Sequence, residues 1–299
     1  MISQTEKIAS THLGKKSKGS STYNPDLLVA IPRIENRRQF NIDNNSLPFY
    51  GYDVWHAYEF STLLNNGLPI TKVLKIKYSC ESEFIVESKS LKLYLNSFNM
   101  TKFGRNATEC LEHCKTTISK DLSKLLNTKV EAEYLNNNSK RVALFDNYVD
   151  LYNIINSDDI KIKTFKENPN LIKTENNDNV SEYRLTFGSL RSNCRVTHQP
   201  DFGDIFIYYK SQKHILENSL VEYLVSFREE YHFHEECCEM IFKRLYDKLD
   251  SDDELFVCAL YTRRGGIDIS PARYSRNCKI EDADKILDIE TFARNGIKQ

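Results

Sequence analysis

The sequence has no long apolar segment, little glycine or proline, and almost no net charge. Its 299 residues include 10 glycines and 7 prolines, and the formal charge at pH 7 is -1. The longest apolar run, residues 255–261, is far shorter than the ~20 residues that cross a membrane as a helix. So small a net charge creates no field that would draw the whole chain to nucleic acid or to an anionic membrane. We therefore expect neither a membrane nor nucleic acid as a direct partner.

Targeting and nucleotide-binding motifs are also missing. Residues 1–21 are polar and lack the apolar segment of a signal peptide, so we expect a cytoplasmic protein. The chain contains neither the G-x-G-x-x-G pattern of Rossmann domains nor the P-loop pattern. If it uses a nicotinamide cofactor, it holds that cofactor without a Rossmann domain.

The 8 cysteines raise two alternatives, disulfides and zinc. Disulfides are not expected in a cytoplasmic chain of this length. Cys110 and Cys114 lie near His113, and Cys237-Cys238 follow His232 and His234, but neither cluster has the paired C-x2-C spacing of structural zinc sites. We interpret these cysteines as small apolar residues buried on helices, and we expect no bound metal.

Strand and helix patterns follow one another in a similar order in the two halves of the chain. Residues 73–78 and 83–87 have strand patterns, and they precede a long helix predicted from apolar residues at helical spacing: Leu111, Cys114, Ile118, Leu122 and Leu125. In the second half, strand patterns at 205–209 and 255–261 enclose two helical patterns. The polar segment 161–182 has neither period. It predicts a linker or insert between an N-terminal domain, residues 1–160, and a C-terminal domain, residues 183–299.

The halves also share sequence. Residues 89–98 (KSLKLYLNSF) align with residues 218–227 (NSLVEYLVSF), which indicates an internal duplication. The sequence therefore predicts an α+β fold of two modules, each with an antiparallel sheet backed by a pair of helices.

The densest polar stretch is residues 192–203 (SNCRVTHQPDFG). Its polar residues, proline and glycine predict a loop or strand end, where functional side chains are often displayed. Cys194 lies beside the cation of Arg195, which favours a thiolate, and Asp201 follows closely. The alternative is a small buried cysteine and an aspartate that caps its own turn. On the residues alone, both interpretations stay open.

Two further segments carry candidate binding groups. His234-Glu235 opens a predicted helix, where Glu235 can accept two hydrogen bonds from a guanine-like base or simply complement the helix dipole. Residues 263–266 (RRGG) form a basic turn between two strand patterns. Such a turn suits phosphate binding, although an exposed hairpin turn has the same composition.

Taken in order, these segments resemble the long, two-module form of the NADPH-dependent 7-cyano-7-deazaguanine reductases, the nitrile reductases of the tRNA queuosine pathway. The resemblance extends from Leu13-Gly14-Lys15 and Tyr23-Asn24-Pro25 through Ile31-Pro32-Arg33 to Arg276. Its most specific parts are residues 87–94 (ESKSLKLY) and 192–203, with His234-Glu235 and residues 263–266 in support. The chain departs from the family pattern at Lys102, where arginine is expected, and in the polar insert 161–182.

The resemblance implies a fold, a substrate and a cofactor. The fold is a tandem of tunnelling-fold (T-fold) modules, in which antiparallel sheets assemble into barrels with the helices outside. The reaction is the reduction of the nitrile of 7-cyano-7-deazaguanine to an aminomethyl group by NADPH. Because two modules are too few to close such a barrel, the resemblance also implies a homodimer.

The same resemblance implies individual roles. Cys194 would be the nucleophile that forms a covalent thioimide, Asp201 the proton donor, and His234 a residue that positions or protonates. The substrate would contact Val86, Glu87, Ser88, His234 and Glu235. The NADPH cofactor would contact Ser88, Lys89, Arg264 and Gly265.

Two other functions stay open at this point. His232, His234 and the cysteines are compatible with a zinc-dependent T-fold hydrolase acting on a purine or pterin, which stoichiometric zinc in the purified protein would favour. The other alternative is a non-catalytic base-binding protein in which Cys194 is merely buried. Such a protein would bind the deazaguanine without consuming NADPH.

Overall fold

A computed structural model describes residues 4–11, 20–136, 139–142 and 145–293 of the chain. The family-like segment Leu13-Gly14-Lys15 lies outside these residues. The described helices are α1 Gln4–Ala9, α2 Ile34–Gln39, α3 Ser88–Asn96, α4 Ala107–Leu126, α5 Glu217–Val225, α6 His234–Tyr246 and α7 Glu281–Leu287. The described strands are β1 Ala30–Pro32, β2 Tyr50–Leu63, β3 Pro69–Ser79, β4 Phe84–Val86, β5 Val130–Leu135, β6 Arg141–Val142, β7 Val149–Asp150, β8 Thr174–Asn193, β9 Pro200–Ile215, β10 Glu254–Tyr261, β11 Ile267–Tyr274 and β12 Phe292–Ala293. None of the helices in these ranges is long and apolar enough to span a membrane.

One eight-stranded sheet runs through both halves, in the order β5-β3-β2-β11-β10-β9-β8-β7. Its neighbouring strands are antiparallel except for β7 and β8. Strand β11, from the C-terminal half, pairs with β2, from the N-terminal half. The predicted α+β class is confirmed, and the two halves share a single sheet.

Four helices cover one face of this sheet. Helices α3 and α4 pack over the N-terminal strands, and α5 and α6 pack over the C-terminal strands. Strand β10 is buried on both faces, because Phe256, Cys258 and Leu260 face a further core under α7 while their neighbours face α6. This double burial explains why residues 255–261 form an unbroken apolar run.

The predicted long helix of the first half is confirmed as α4, but its buried face is shifted. The side chains that are fully buried follow a four-residue period: Cys110, Cys114, Ile118, Leu122 and Leu126. Leu111 and Leu125, which were expected on this face, are only partly buried. Cysteine packs here as a small apolar residue, as it does at Cys237 and Cys238 on α6, so the interpretation of the clustered cysteines is confirmed.

The internal duplication is visible in the contacts of α3 and α5. Ser90 and Ser219 occupy matching positions, and each hydroxyl donates to the carbonyl three residues earlier at 2.7 Å. Further along, Tyr94 and Tyr223 are fully buried, and each meets a phenylalanine edge-to-face, with ring centroids 5.3 and 5.5 Å apart. The aligned residues therefore pack in the same way in both halves.

The polar segment 161–182 contains more regular structure than its sequence predicts. A 3₁₀ turn at Pro169–Leu171 packs against α5, as the turn at Pro25–Leu27 packs against α3. Strand β8 already begins at Thr174. Its first residues pair with the end of β9, which extends past the last residue that pairs with β10. These residues of β8 are therefore mostly exposed and carry polar side chains. Without a buried face, this part of the strand has no apolar alternation to detect.

Five buried charged residues connect the two halves next to α6. Asp53 on β2 pairs with Arg33 and, at 2.8 Å, with Arg273 on β11. Glu239 on α6 pairs with Arg37 at 2.7 Å and with Arg273 at 3.0 Å. Burial alone would raise the pKa of Glu239, but the guanidinium groups outweigh it and lower that pKa to about 2. These ion pairs hold α6 in place against the N-terminal half.

Candidate active site

A cavity of about 240 Å³ lies where the start of α3, the start of α6 and the β8–β9 loop meet. Most of the predicted site residues line it: Val86, Ser88, Lys89, Cys194, Asp201, His234, Glu235 and Arg264. The other two, Glu87 and Gly265, are not part of its wall. The cavity therefore combines residues from both halves of the chain.

Cys194 is the first residue of the loop between β8 and β9. The loop closes on itself, since the Cys194 amide donates to the Gln199 carbonyl at 2.8 Å and the His198 amide donates to the Cys194 carbonyl at 3.0 Å. His198 adopts the left-handed conformation that this tight loop requires, with φ of 57°. Cys194 is only partly buried and borders the cavity. The buried-cysteine interpretation therefore does not describe it.

Arg195 anchors this loop. Its guanidinium pairs with Glu236 at 3.2 Å and donates to Asn36 at 3.3 Å, and one of its nitrogens lies 3.0 Å from Nδ1 of His232. The sequence predicts a cation that favours the thiolate of Cys194. In the structure the positive charge of Arg195 is already compensated by Glu236.

The two carboxylates at the start of α6 have different surroundings. Glu236 accepts a hydrogen bond from the Phe233 amide at 2.9 Å and so caps the helix. Glu235 is 2% exposed, and its Oε1 has no hydrogen-bond partner within the described residues. Burial, reinforced by the nearby charge of Asp53, raises the pKa of Glu235 to about 8. Interaction with the helix dipole explains why Glu236 stands at the start of α6. It does not explain Glu235, because a buried carboxyl oxygen without a partner is costly.

His234, Asp201 and Arg264 form a connected row on the cavity wall. Nε2 of His234 lies 3.4 Å from Oδ2 of Asp201, and the other oxygen of Asp201 pairs with Arg264. The imidazole stacks on Tyr261 with 3.8 Å between ring centroids. Burial lowers the pKa of His234 to about 3. The imidazole is therefore neutral at neutral pH.

Glu87 caps helix α3 instead of lining the cavity. Its carboxyl group accepts hydrogen bonds from the amides of Lys89 at 2.9 Å and Ser90 at 2.7 Å. Burial raises the pKa of Glu87, and these hydrogen bonds only partly oppose the rise. The cap fixes the first turn of α3, where Ser88 and Lys89 border the cavity. A direct role of Glu87 in binding stays a prediction.

One part of the cavity wall is basic and suits a dinucleotide cofactor. Lys89, Lys92 and Arg264 contribute its cations. Gly265 has φ of +58°, a left-handed conformation that favours glycine, and it lies beside the side chain of Lys92. The two lysines, with Arg264 between Asp201 and the glycine turn, suit the negative charge of the phosphates of NADPH.

Sequence reasoning missed several residues of the wall: Trp55, Lys92, Thr197, Phe233 and Ile269. Helical spacing identifies Lys92, which lies about one turn beyond Ser88 and Lys89 on α3. No local pattern identifies Trp55, which reaches the cavity from β2.

The described residues contain no group of three or more His, Cys, Asp or Glu side chains arranged to hold a metal ion. His232, which supported the zinc alternative, is engaged by Glu230 at 3.2 Å and Glu236 at 3.6 Å. Cys237 and Cys238 are buried within α6.

Comparison with known proteins identifies similar sequences along most of the chain. A family described as nitrile reductase, 7-cyano-7-deazaguanine-reductase N-term matches residues 20–134, and one described as QueF-like protein matches residues 200–279. The NADPH-dependent 7-cyano-7-deazaguanine reductase of Rickettsia bellii is 42% identical over 269 residues, 89% of this chain and 93% of the relative. The reductase of the same name from Colwellia psychrerythraea is 38% identical over 88% of this chain and 91% of its own length. The one from Legionella pneumophila is 38% identical over 90% of each.

Removing the charge of Glu235 should stabilise the protein at alkaline pH. The pKa of this carboxyl rises from an ordinary 4.5 to about 8 on folding, so the native state keeps a proton that the unfolded chain loses between these values. Wild-type stability therefore falls as the pH rises through this window. Above about pH 8, Glu235→Gln should exceed the wild type in free energy of unfolding by a few kcal/mol, on the order of 1.4 kcal/mol per pKa unit.

Urea unfolding of both proteins across this pH range measures the difference, which should vanish towards pH 4.5. Glu236→Gln is the matched control, and because it weakens the helix cap and the pair with Arg195 it should be less stable than the wild type throughout. A Glu235→Gln protein whose stability follows the wild type at every pH would contradict the assignment.

Proposed function

The chain belongs to the family of NADPH-dependent 7-cyano-7-deazaguanine reductases, and from this premise we propose how its cavity carries out the reaction. The protein reduces the nitrile of 7-cyano-7-deazaguanine to an aminomethyl group with NADPH, a step of the queuosine pathway. The observation that carries the mechanism is one cavity bordered both by the partly exposed Cys194 and by the buried carboxyl of Glu235, whose Oε1 has no partner within the described residues.

Glu235 binds the guanine-like edge of the substrate. This edge presents a ring N–H and an exocyclic amine side by side, and a carboxylate accepts both in one plane. Pairing with these donors removes the cost of the unpartnered oxygen and favours the ionised carboxylate. Val86 and Ser88 contact the base from the α3 side, and Glu87 supports them by capping that helix.

Cys194 activates the nitrile. A nitrile accepts hydride poorly, and addition of the sulfur to its carbon gives a more reactive thioimide. As the S–C bond forms, the thiol proton must reach the nitrile nitrogen. Asp201 borders the same cavity and transfers this proton, accepting it from sulfur and donating it to nitrogen. Neutral His234 does not act as the acid. It positions the Asp201 carboxyl, which Arg264 holds from the other side.

Bound NADPH supplies one hydride in each of two rounds, so two NADPH and two protons are consumed per nitrile. After the first reduction the C–S bond breaks, Cys194 recovers its proton, and an imine is left. The second reduction converts this imine to the amine. Burial of the cavity wall at Val86 and Glu235 keeps water from the imine.

The basic part of the wall binds the cofactor in this mechanism. Ser88, Lys89, Arg264 and Gly265 contact it, as the resemblance implies, and the geometry adds Lys92. The lysines and Arg264 pair with the phosphates.

The sheet and its helices support a tandem of T-fold modules. Apart from the short strand β4, two strands, two helices and a strand follow one another in both halves, as β2-β3-α3-α4-β5 and as β8-β9-α5-α6-β10, and the second half adds β11. The shared turn geometry at Pro25–Leu27 and Pro169–Leu171 favours a second module that begins before residue 168, inside the predicted insert 161–182. The cytoplasmic location, the absence of direct nucleic-acid contact and the homodimer expected from the sequence complete the proposal.

Cys194→Ala should abolish NADPH consumption in the presence of 7-cyano-7-deazaguanine, because the nitrile is no longer activated. Loss of NADPH absorbance measures turnover, with NADH in place of NADPH as the cofactor control. Intact mass of the wild type mixed with substrate alone should show a covalent adduct that Cys194→Ala lacks. Cys278→Ala, which changes a partly buried cysteine outside the cavity wall, should form the adduct normally. Near-normal turnover in Cys194→Ala would exclude the thioimide.

Asp201→Asn should lower kcat by about 100-fold or more, the usual effect of losing a proton-transfer group. The adduct should still form, more slowly, since solvent can protonate the nitrogen. Steady-state kinetics with intact mass separates these effects, and KM for the substrate should change little. A kcat close to that of the wild type would remove Asp201 from proton transfer.

The protein should be a homodimer at micromolar concentration, because two modules cannot close a T-fold barrel. Both outer strands of the described sheet, β5 and β7, have a neighbour on one side only. Light scattering should give twice the chain mass of 34.9 kDa. A monomer mass would contradict the barrel assembly while leaving the chemistry of the cavity untouched.

A further inference from the structure

Trp55 is the chain's 1 tryptophan, and it forms part of the cavity wall. It lies on β2 between Ile76 of β3 and Ile269 of β11, and 1% of its surface is exposed. Its Nε1 has no hydrogen-bond partner within the described residues.

An indole nitrogen can only donate a hydrogen bond, and buried tryptophans usually have an acceptor. Oε1 of Glu235, on the wall of the same cavity, is an acceptor without a partner. Nδ1 of His234 also has no partner within the described residues. A neutral imidazole nitrogen either donates or accepts, so this atom does not determine whether the ligand presents a donor or an acceptor there. Among the buried wall atoms that have no partner within the described residues, one is thus an obligate donor and one is a carboxyl acceptor, which suits a ligand whose edge carries both an acceptor and donors.

We propose that Nε1–H of Trp55 donates a hydrogen bond to the ring carbonyl oxygen of the bound base and thereby determines which bases the cavity accepts. This role rests on the proposed function, in which Glu235 binds the guanine-like edge. On that edge the carbonyl oxygen is next to the ring N–H, so it enters the same buried part of the cavity. The apolar side chains of the same wall, such as Val86 and Ile269, offer no donor.

The selection follows from the donor-only character of the indole. A base with an amino group in place of the carbonyl would set a second donor against Nε1–H, and both groups would stay unpaired in a buried site. Sites built around such a hydrogen bond discriminate strongly against ligands that cannot form it.

Trp55→Phe tests the role, because it keeps an aromatic ring and removes the N–H. Calorimetry in the Cys194→Ala background avoids the covalent step. Trp55→Phe should bind 7-cyano-7-deazaguanine about 10-fold more weakly, with unchanged NADPH binding. Ile76→Val is the matched control, since it trims the packing beside Trp55 and keeps the N–H, and it should bind the base normally. Melting curves confirm that each variant is folded.

The thiocarbonyl analogue of the base identifies the acceptor. Sulfur in place of the carbonyl oxygen accepts hydrogen bonds poorly and leaves the ring N–H and amine for Glu235. The analogue should therefore bind about 10-fold more weakly than the parent base when Trp55 is present. In Trp55→Phe the two compounds should bind alike. An equal loss in both proteins would mean that another group binds the oxygen, and would overturn the role.

Two further results separate this role from the function on which it rests. Since the chain has 1 tryptophan, fluorescence of Trp55 reports directly whether the cavity is filled. No fluorescence change and no binding heat with the base in the Cys194→Ala protein would overturn the proposed function, and this role with it. Normal base affinity in Trp55→Phe, or a loss confined to NADPH, would overturn the role of Trp55 alone.

Discussion

The site depends on the buried ion pairs that hold α6 against the N-terminal half of the chain. Charges in a protein core are stable only when they are paired, and removing one partner leaves another uncompensated. Glu239 takes its partners from α2 and β11, through Arg37 and Arg273, while Asp53 joins Arg273 to Arg33. Helix α6 therefore cannot slide along the sheet without breaking the ion pairs of Glu239. Its first residues, which border the cavity, are fixed by the same constraint.

Helix α6 carries the paired carboxyl group of Glu239 and, one turn earlier, that of Glu235, one oxygen of which has no partner within the described residues. Glu239 is ionised among guanidinium groups, whereas burial and the nearby charge of Asp53 raise the pKa of Glu235 and disfavour its ionised form. Such an arrangement lowers the stability of the free protein and is retained where binding offsets it. The N–H of Trp55, which also has no partner within the described residues, belongs to the same pattern. The polar groups left unpaired at the cavity are those that a base can satisfy.

The duplication is visible in the core residues of the two halves but not in the residues that border the cavity. Helices α3 and α5 repeat the same buried tyrosine and serine contacts, yet Glu87 caps α3 while the matching position before α5 is Leu216, whose side chain caps nothing. The cavity uses the start of α3 from the first half and the start of α6 from the second. Packing constrains both copies equally, since each must bury the same helix face. The residues at the cavity are free of that constraint and differ.

The sequence by itself determined the α+β class, the amphipathic helices and the segments that carry Cys194 and His234-Glu235, because periodicity and local composition record which face is buried and where the chain turns. It did not reveal the strand within residues 174–182, which has no buried face. Only the tertiary structure decided that Trp55 reaches the cavity and that Arg264 pairs with Asp201. The pairing of β2 with β11 joins residues far apart in the chain, and no local pattern encodes which strands become neighbours. Whether a polar group in such a site is paired or left unsatisfied is settled only when those distant segments meet.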